Sequence, residues 1–309
     1  MKYWLLLIAL AITLLSPTPS LLASGSKPII PDYDIVVDNR KLELESPPFL
    51  DNGTTMVPFR PIFGKLGLEV TWDAGTQRIS ATDAETIIEM QIGSKTAIVN
   101  GAEVELSLPP MLSQGTAYVP LRFVGTASGG YVELFPGGLN VVWIMSAKQV
   151  QLLESVLDEN VERAAPLLAA GADPMVMVGP MGPPIYSLAS GSVGMVKLFL
   201  DHGMGINDYT EDAFIGTTLL QDAASGGHVE TVEYLLAAGA DPLETAGAGW
   251  TPLEFAVHGK ESLEQGFYAD YPDTWDIPTV EAYEKIIALL QNATVSPTPN
   301  LPETADDAK

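Results

Sequence analysis

Few residues in this sequence have the type and spacing that metal or nucleophile chemistry requires. The 309 residues include no cysteine and three histidines, His202, His228 and His258. A copper or zinc centre needs several imidazole or thiolate ligands, whereas His202 and His228 fall in turns, where a histidine ring can hydrogen-bond the backbone. No Gly-x-Ser-x-Gly sequence frames a nucleophile, and no glycine-rich phosphate loop follows a strand. We therefore expect no catalytic residue, no metal and no cofactor.

The charge of the chain excludes further classes of function. Its formal net charge is −24 at pH 7. Binding to nucleic acid requires clustered lysine and arginine, and so does binding to an anionic membrane surface. The acidic residues are spread along the chain, which is typical of a soluble surface.

One short stretch combines aromatic rings with carboxylates more densely than the rest. It runs from Phe267 to Asp276 and includes three aspartates. Its rings could stack on a sugar or fill a pocket of a partner, and its aspartates could bind calcium, although their spacing matches no calcium loop. Alternatively, the rings fold back and cover the open end of a repeat array. The binding candidates in this stretch are Tyr268, Tyr271 and Trp275.

The elements that would position these residues come from a repeat. The eight residues 235–242 repeat residues 167–174, and a degenerate third copy stands at 198–203. In each copy, leucine or phenylalanine residues end a helix and a glycine follows. Such a glycine takes the left-handed conformation that closes a helix, which predicts positive φ at Gly239. The glycines Gly171, Gly203 and Gly239 are 32 and 36 residues apart, and this spacing indicates repeats of about 33 residues.

The repeats resemble ankyrin repeats. The sequence Gly249-Trp250-Thr251-Pro252-Leu253 is similar to the opening of an ankyrin helix, and 218–230 resembles a first helix, its turn and the start of a second helix. We predict about four repeats over 148–292, with a degenerate second repeat and an insertion at 258–277. The resemblance implies an all-α solenoid that binds proteins.

Ankyrin repeats usually bind through their finger turns and the exposed face of their first helices. Here the resemblance places the fingers at 174–183, 205–217 and 243–250. Flexible methionines, aromatic rings and carboxylates in these turns suit an interface. The alternative is that the same side chains pack between adjacent fingers. The candidates for partner binding in the fingers are Met175, Met177, Tyr209, Asp212, Phe214 and Trp250.

The N-terminal half of the chain is an internal duplication. Residues 37–70 align with 99–132 without a gap, at an offset of 62 (99 − 37). Val57-Pro58-Phe59-Arg60 then matches Val119-Pro120-Leu121-Arg122. Alternating apolar residues predict strands, and each proline can open a short helix. Each copy is predicted to run strand, turn, strand, short helix, strand.

This duplicated region, about 35–145, resembles the copper amine oxidase N-terminal domain family. The resemblance rests on the two Val-Pro-x-Arg motifs and on the sequence from Leu68 to Asp73. It implies a small α+β module, an antiparallel sheet wrapped on a helix, that serves as a stalk. Oxidase chemistry in that family belongs to a separate catalytic domain. Because Arg60 and Arg122 occupy matching positions, we expect them to fix the junction of sheet and helix rather than to bind an anion.

The two ends of the chain predict export and a disordered tail. Lys2, the apolar run 4–15 and the small residues Ala23-Ser24-Gly25 are typical of a signal peptide over 1–25. The alternative is an uncleaved N-terminal anchor, although the apolar run is shorter than the roughly 20 residues of a membrane span. No second hydrophobic span follows. Residues 293–309, rich in proline, threonine and acidic residues, predict a disordered tail.

The sequence therefore predicts an α+β fold class, a duplicated antiparallel-sheet-plus-helix domain followed by an all-α ankyrin-type solenoid. We expect a non-enzymatic protein that is secreted or associated with a bacterial cell envelope, and that binds a protein partner through its repeats. A first alternative is a cell-wall glycan-binding protein that uses the stalk module or residues 267–275. A second is an enzyme with an unrecognised acidic site.

Overall fold

The chain folds into two compact units. The computed structural model describes residues 33–135, 140–211, 216–267 and 277–295. The first unit contains the described residues up to Leu153 together with Val176–Pro180, and the second contains Glu154–Met175 and the described residues from Met181 onward. The predicted signal peptide and residues 296–309 lie outside the described residues.

The first unit is built mainly from strands. Its strands are β1 (Asp34–Val37), β2 (Arg40–Lys41), β3 (Phe49–Asp51), β4 (Thr54–Pro58), β5 (Glu69–Asp73), β6 (Arg78–Thr82), β7 (Ile87–Gln91), β8 (Thr96–Val99), β9 (Ala102–Glu105), β10 (Met111–Ser113), β11 (Thr116–Pro120), β12 (Tyr131–Phe135) and β13 (Val141–Met145). Two short helices follow the matching prolines, α1 (Phe59–Lys65) and α2 (Leu121–Ala127).

The predicted duplication is confirmed element by element. The strands β1, β3, β4 and β5 recur 62 residues later (116 − 54 for β4) as β8, β10, β11 and β12, and α1 recurs as α2. The hairpin turns match as well: Asn52 and Gly53 have φ of 45° and 76°, and Gln114 and Gly115 have 49° and 82°. Two consecutive positive φ values form the type of tight turn that joins twisted antiparallel strands.

The two copies meet at the second strand of each hairpin. Val57 of β4 lies opposite Val119 of β11 in an antiparallel pair, so both Val-Pro-x-Arg motifs belong to one sheet. The strands form three sheets, in the orders β12-β13-β1-β2, β10-β11-β4-β3 and β5-β6-β7-β8-β9.

The sheets differ from the expected purely antiparallel arrangement in one pair. Strands β1 and β13 are parallel. In the five-stranded sheet, β7 separates β6 from β8. In the other copy, β13 takes the place of β6 and β1 takes the place of β8. Among the described residues no strand separates β13 from β1. Removing one strand from between two antiparallel neighbours leaves two parallel strands side by side.

Apolar residues fill the junction of the sheets and helices. Ile62 and Phe63 of α1 and Val124 of α2 are fully buried in one cluster with Val57 and Val119. Arg60 and Arg122 are both exposed, so the role predicted for them at this junction stays a prediction. The guanidinium of Arg60 lies 5.6 Å from the centre of its neighbouring Phe59 ring.

Helices follow, and the division between the units falls within the first of them. They are α3 (Ala147–Leu157), α4 (Val161–Ala169), a 3₁₀ helix (Ile185–Ala189), α5 (Val193–Asp201), α6 (Leu219–Ser225), α7 (Val229–Ala237), α8 (Pro252–Glu264) and α9 (Val280–Val295). Taken in pairs, they confirm the predicted helical repeats.

Capping explains which repeats are regular and which are degenerate. Thr218 and Gln221 form a reciprocal capping box at the start of α6, and Thr251 and Glu254 form another at α8. The second repeat has Pro184 at the equivalent position, which supplies no side-chain cap. Its first helix is only a short 3₁₀ turn.

The helix ends also follow the prediction. Gly171, Gly203 and Gly239 have φ of 82°, 95° and 96°. After Gly239, the N–H of Ala240 donates to the carbonyl of Leu235 at 2.9 Å, which satisfies a carbonyl at the end of α7.

The fourth repeat differs from the prediction in the length of its helices. Helix α8 continues to Glu264, so the predicted insertion at 258–277 begins too early. Gly259 lies inside this helix. Only glycine fits at this position, because a Cβ there would be 2.6 Å from the Tyr283 ring of α9. Helix α9 extends to Val295, beyond the predicted end of the repeats at 292 and into the predicted tail.

Candidate functional site

An exposed groove runs along one face of α8. It is lined by Trp250, Leu253, Glu254, Val257, His258 and Glu261. The last five share one face of the helix through their spacing of three or four residues, and Trp250 stands just before the N-cap Thr251. Trp250 is 42% exposed and Val257 is 38% exposed, although both are large apolar side chains. The opposite side of the helix carries Ala256 and Gly259, which are buried.

Neighbouring side chains hold the Trp250 ring and its backbone in place. The ring lies 5.5 Å from Phe255 and makes an edge contact with His258 at 5.1 Å, both measured between ring centres. The buried Gln221 side chain donates to the carbonyl of Trp250 at 2.7 Å and to the carbonyl of Glu244 at 3.0 Å. One buried amide therefore ties both ends of the third finger to α6.

The groove carries negative charge. The backbone N–H of Thr251 donates to Glu254 at 2.7 Å, and together with the Thr251 hydroxyl it holds the pKa of Glu254 below its usual range. Glu254 is therefore ionised at neutral pH. Glu261 is exposed one helical turn beyond Val257. Lys260 instead pairs with Glu284 at 2.8 Å and with Glu264 at 3.7 Å, and no lysine or arginine is among the residues that line the groove.

Of the predicted partner-binding residues, Trp250 lies in this groove, whereas Met175, Met177 and Tyr209 lie elsewhere. Met175 is half-buried and lines a separate cavity with Phe199 and Met204. Met177 is 3% exposed within the first unit, where its N–H donates to Asn39 Oδ1 at 2.9 Å. The Met177 side chain therefore adds nothing to the exposed surface. The predicted residues Asp212, Phe214, Tyr268, Tyr271 and Trp275 lie outside the described residues.

The second and third fingers contact each other, as the alternative interpretation of the finger residues expects. The N–H of Ala248 donates to the carbonyl of Gly216 at 3.1 Å, and just before the third finger the N–H of Asp241 donates to Asn207 Oδ1 at 3.0 Å. Tyr209 is half-buried beside Gly216, where an added Cβ would lie 3.0 Å from its ring. A partner-binding role for these residues stays a prediction.

A buried polar cluster lies between the second and third repeats. Asp222 accepts a 2.6 Å hydrogen bond from the Thr217 hydroxyl, and the Tyr186 hydroxyl donates to the Thr217 carbonyl at 2.6 Å. Burial raises the pKa of Asp222 to about 6 and that of Tyr186 to about 12. The second carboxylate oxygen of Asp222 and the Ser187 hydroxyl are both buried without a hydrogen bond of good geometry, although Ser187 still offsets part of the rise in the Asp222 pKa. Because this carboxylate oxygen does not reach solvent, we assign the cluster a structural role rather than a catalytic one.

The described residues contain neither a cluster of metal ligands nor a membrane-spanning helix. No group of three or more histidine, cysteine, aspartate or glutamate side chains is placed to hold a metal ion among them. No helix in the same ranges is long and apolar enough to cross a membrane. The His202 Nδ1 atom lies 2.8 Å from the Leu198 carbonyl, which confirms the expected hydrogen bond of this histidine to the backbone.

Sequence reasoning missed most of the groove. It identified Trp250 as a finger residue but not Leu253, Glu254, Val257, His258 or Glu261. The signal was present in their spacing from Trp250, which repeats every three or four residues through α8. Reading His258-Gly259 as the start of an insertion hid the continuation of that stripe.

Family models match both halves of the chain. Residues 36–144 match the copper amine oxidase N-terminal domain, and residues 152–246 and 186–264 match ankyrin repeats. The predicted resemblances and their order are confirmed. Ankyrin repeats indicate protein–protein interaction, and neither matched module is catalytic.

A curated relative is a primary amine oxidase from Klebsiella aerogenes. It is 25% identical over 118 residues, which are 38% of this chain. The chain spans only 15% of the length of that oxidase, so the likeness is limited to a distant homologue of one domain.

Proposed function

We propose that this chain, a copper amine oxidase N-terminal-like domain followed by ankyrin repeats, is an exported, non-catalytic protein that binds another protein through the exposed face of α8. The matched families support a binding role and supply no catalytic module. The observation that carries the proposal is the groove at Trp250. Its large apolar side chains are exposed along one helical face, and a buried glutamine fixes the backbone of the tryptophan.

Three features of the groove suit protein recognition. Tryptophan is among the residues that most often dominate the binding energy of an interface. The Trp250 ring contacts Phe255 and His258, so little conformational freedom is lost when a partner covers it. Carboxylates lie around the apolar residues, as in the polar rim that surrounds the core of many interfaces.

Export and the role of the first unit are part of the same proposal. The positive, apolar and small-residue segments within residues 1–25 support secretion or attachment to a cell envelope. The duplicated unit then acts as a stalk that displays the repeats. Fractionation and intact-mass measurement of the native protein test this step. We expect an extracytoplasmic product that begins near residue 26, and an unprocessed cytoplasmic product would contradict it.

Capture from an envelope extract tests the binding role. The full chain is immobilised in three forms: wild type, Trp250→Ala and Ile87→Ala. Ile87 is a matched control because it is a large apolar side chain, 52% exposed on β7 of the first unit. We expect Trp250→Ala to weaken retention of a specific protein about tenfold or more, as at interface hot spots, while Ile87→Ala retains it fully.

Thermal unfolding of the variants confirms that each remains folded before capture. Equal retention of all proteins by the three forms would contradict the assignment of the binding surface to α8.

A further inference from the structure

We propose that the α8 groove receives a lysine or arginine side chain of the partner, with the cation over the exposed ring of Trp250 and its charge paired with Glu261. This inference rests on the proposed function and adds the chemistry of the partner. The segment that binds would be basic, with apolar residues beside the cation.

The first argument is the combination of ring and carboxylates. A cation over the face of a tryptophan is attracted by the negative charge of the ring face. Here the half-exposed Trp250 ring shares one groove with Glu254 and Glu261. Leu253 and Val257 supply an apolar surface for the long methylene stem of lysine or arginine, which commonly packs on such surfaces while its charge stays at the rim.

The second argument is that the nearby cation of this chain is already engaged. The Lys260 ammonium pairs with Glu284 and Glu264. Glu261 makes no ion pair within the described residues and is exposed. Its charge is therefore available to a partner.

The third argument excludes occupants from the same chain. A second copy also carries a net charge of −24, so electrostatic repulsion opposes its approach to an acidic groove. Residues 268–276 of this chain contain three aspartates and no lysine or arginine, so their charge is also wrong. Charge complementarity favours a different, basic protein segment.

Fluorescence anisotropy with a labelled peptide tests the inference on the full chain. The probe is an amphipathic peptide of alternating lysine and leucine, and two matched probes carry glutamine or glutamate in place of every lysine. Wild type is compared with Glu261→Gln, Trp250→Leu and Glu264→Gln. The leucine variant keeps an apolar side chain but removes the ring, and Glu264→Gln removes one exposed negative charge of α8 that already pairs with Lys260.

We expect the lysine peptide to bind most tightly and the glutamate peptide not to bind. Glu261→Gln and Trp250→Leu should each lower the affinity for the lysine peptide about 3- to 10-fold, in line with a cation–ring contact and a paired charge. Glu264→Gln should leave the affinity unchanged. Glu261 is exposed and caps no helix, so its variant tests the proposal even if the leucine variant unfolds.

Two results would overturn the inference. Equal weakening by Glu261→Gln and Glu264→Gln would show attraction to overall negative charge only. Equal binding of the glutamine and lysine peptides would show that the groove binds apolar segments without a cation, and the proposed function would survive if Trp250→Ala still weakened capture. If Trp250→Leu leaves peptide binding unchanged and Trp250→Ala leaves capture unchanged, the proposed function fails together with the inference.

Discussion

At the scale of single residues, two neighbouring buried side chains have opposite effects on the stability of the second unit. Gln221 is fully buried, and its amide is matched by carbonyls of the third finger, so it stabilises the finger that carries Trp250. Asp222, the next residue, leaves one carboxylate oxygen buried without a hydrogen bond of good geometry. A buried charge of this kind destabilises the folded state.

The Asp222 carboxyl predicts a pH-dependent stability. Burial raises its pKa from 3.8 to about 6, so the folded protein binds this proton more tightly than the unfolded chain does. The stabilising contribution of the proton is full below the ordinary pKa and is lost as the pH rises through about 6. The loss amounts to about 3 kcal/mol, at 1.36 kcal/mol for each pKa unit.

Urea unfolding of wild type and Asp222→Asn between about pH 4 and pH 7 measures this effect. Asparagine can still accept the Thr217 hydrogen bond but does not titrate. We expect the free energy of unfolding of the variant, relative to wild type, to increase across this range. Glu264→Gln, at an exposed carboxylate, serves as the control for the removal of one negative charge. Parallel pH profiles for wild type and Asp222→Asn would contradict the role of this carboxyl.

At the scale of the elements, helix ends define the repeats. Gly239 has a φ of 96°, and a Cβ added there would meet no atom within 4 Å. A substitution at this position is therefore opposed by the backbone conformation alone and not by a clash.

We predict that Gly239→Val destabilises the second unit by about 1 kcal/mol or more, because a β-branched residue is strained at positive φ. Gly239→Asn is the matched control at the same position and should destabilise less, since asparagine tolerates left-handed conformations. The melting temperatures of the two variants and of wild type give the comparison. Equal values for valine and asparagine would show that the backbone is not constrained at this helix end.

The elements also show what the sequence could and could not predict. The offset of 62 correctly predicted matching strands and helices, because local turns such as Asn52-Gly53 recur in both copies. The parallel pairing of β1 with β13 joins opposite ends of the first unit, and no local pattern reports such a contact. The length of α8 was missed because glycine usually weakens a helix, whereas Gly259 gives room to the ring of Tyr283.

The candidate site could be predicted only in part, because it depends on how α8 packs on its neighbours. Trp250 stands out by residue type. Val257 and Glu261 become part of a site only when it is known which side of α8 packs on its neighbours, and that side is set by Ala256, Gly259 and the contact with Tyr283.

At the scale of the whole molecule, the chain joins a duplicated module to a repeat array, and neither matched family supplies catalysis. A net charge of −24 opposes self-association and favours basic partners, which agrees with the proposed occupant of the groove. Those properties fit the proposed binding role, and the exposed groove on α8 is the surface that we propose for it.

Site-specific photocrosslinking tests this central claim most directly. A photoreactive amino acid replaces Val257 in the groove or, in a separate sample, Ile87 on the first unit, and each full-length protein is irradiated in its native extract. We predict a discrete protein adduct from position 257 that disappears when Trp250→Ala is added, and no corresponding adduct from position 87. Identical adducts from both positions, or none from position 257, would contradict the account.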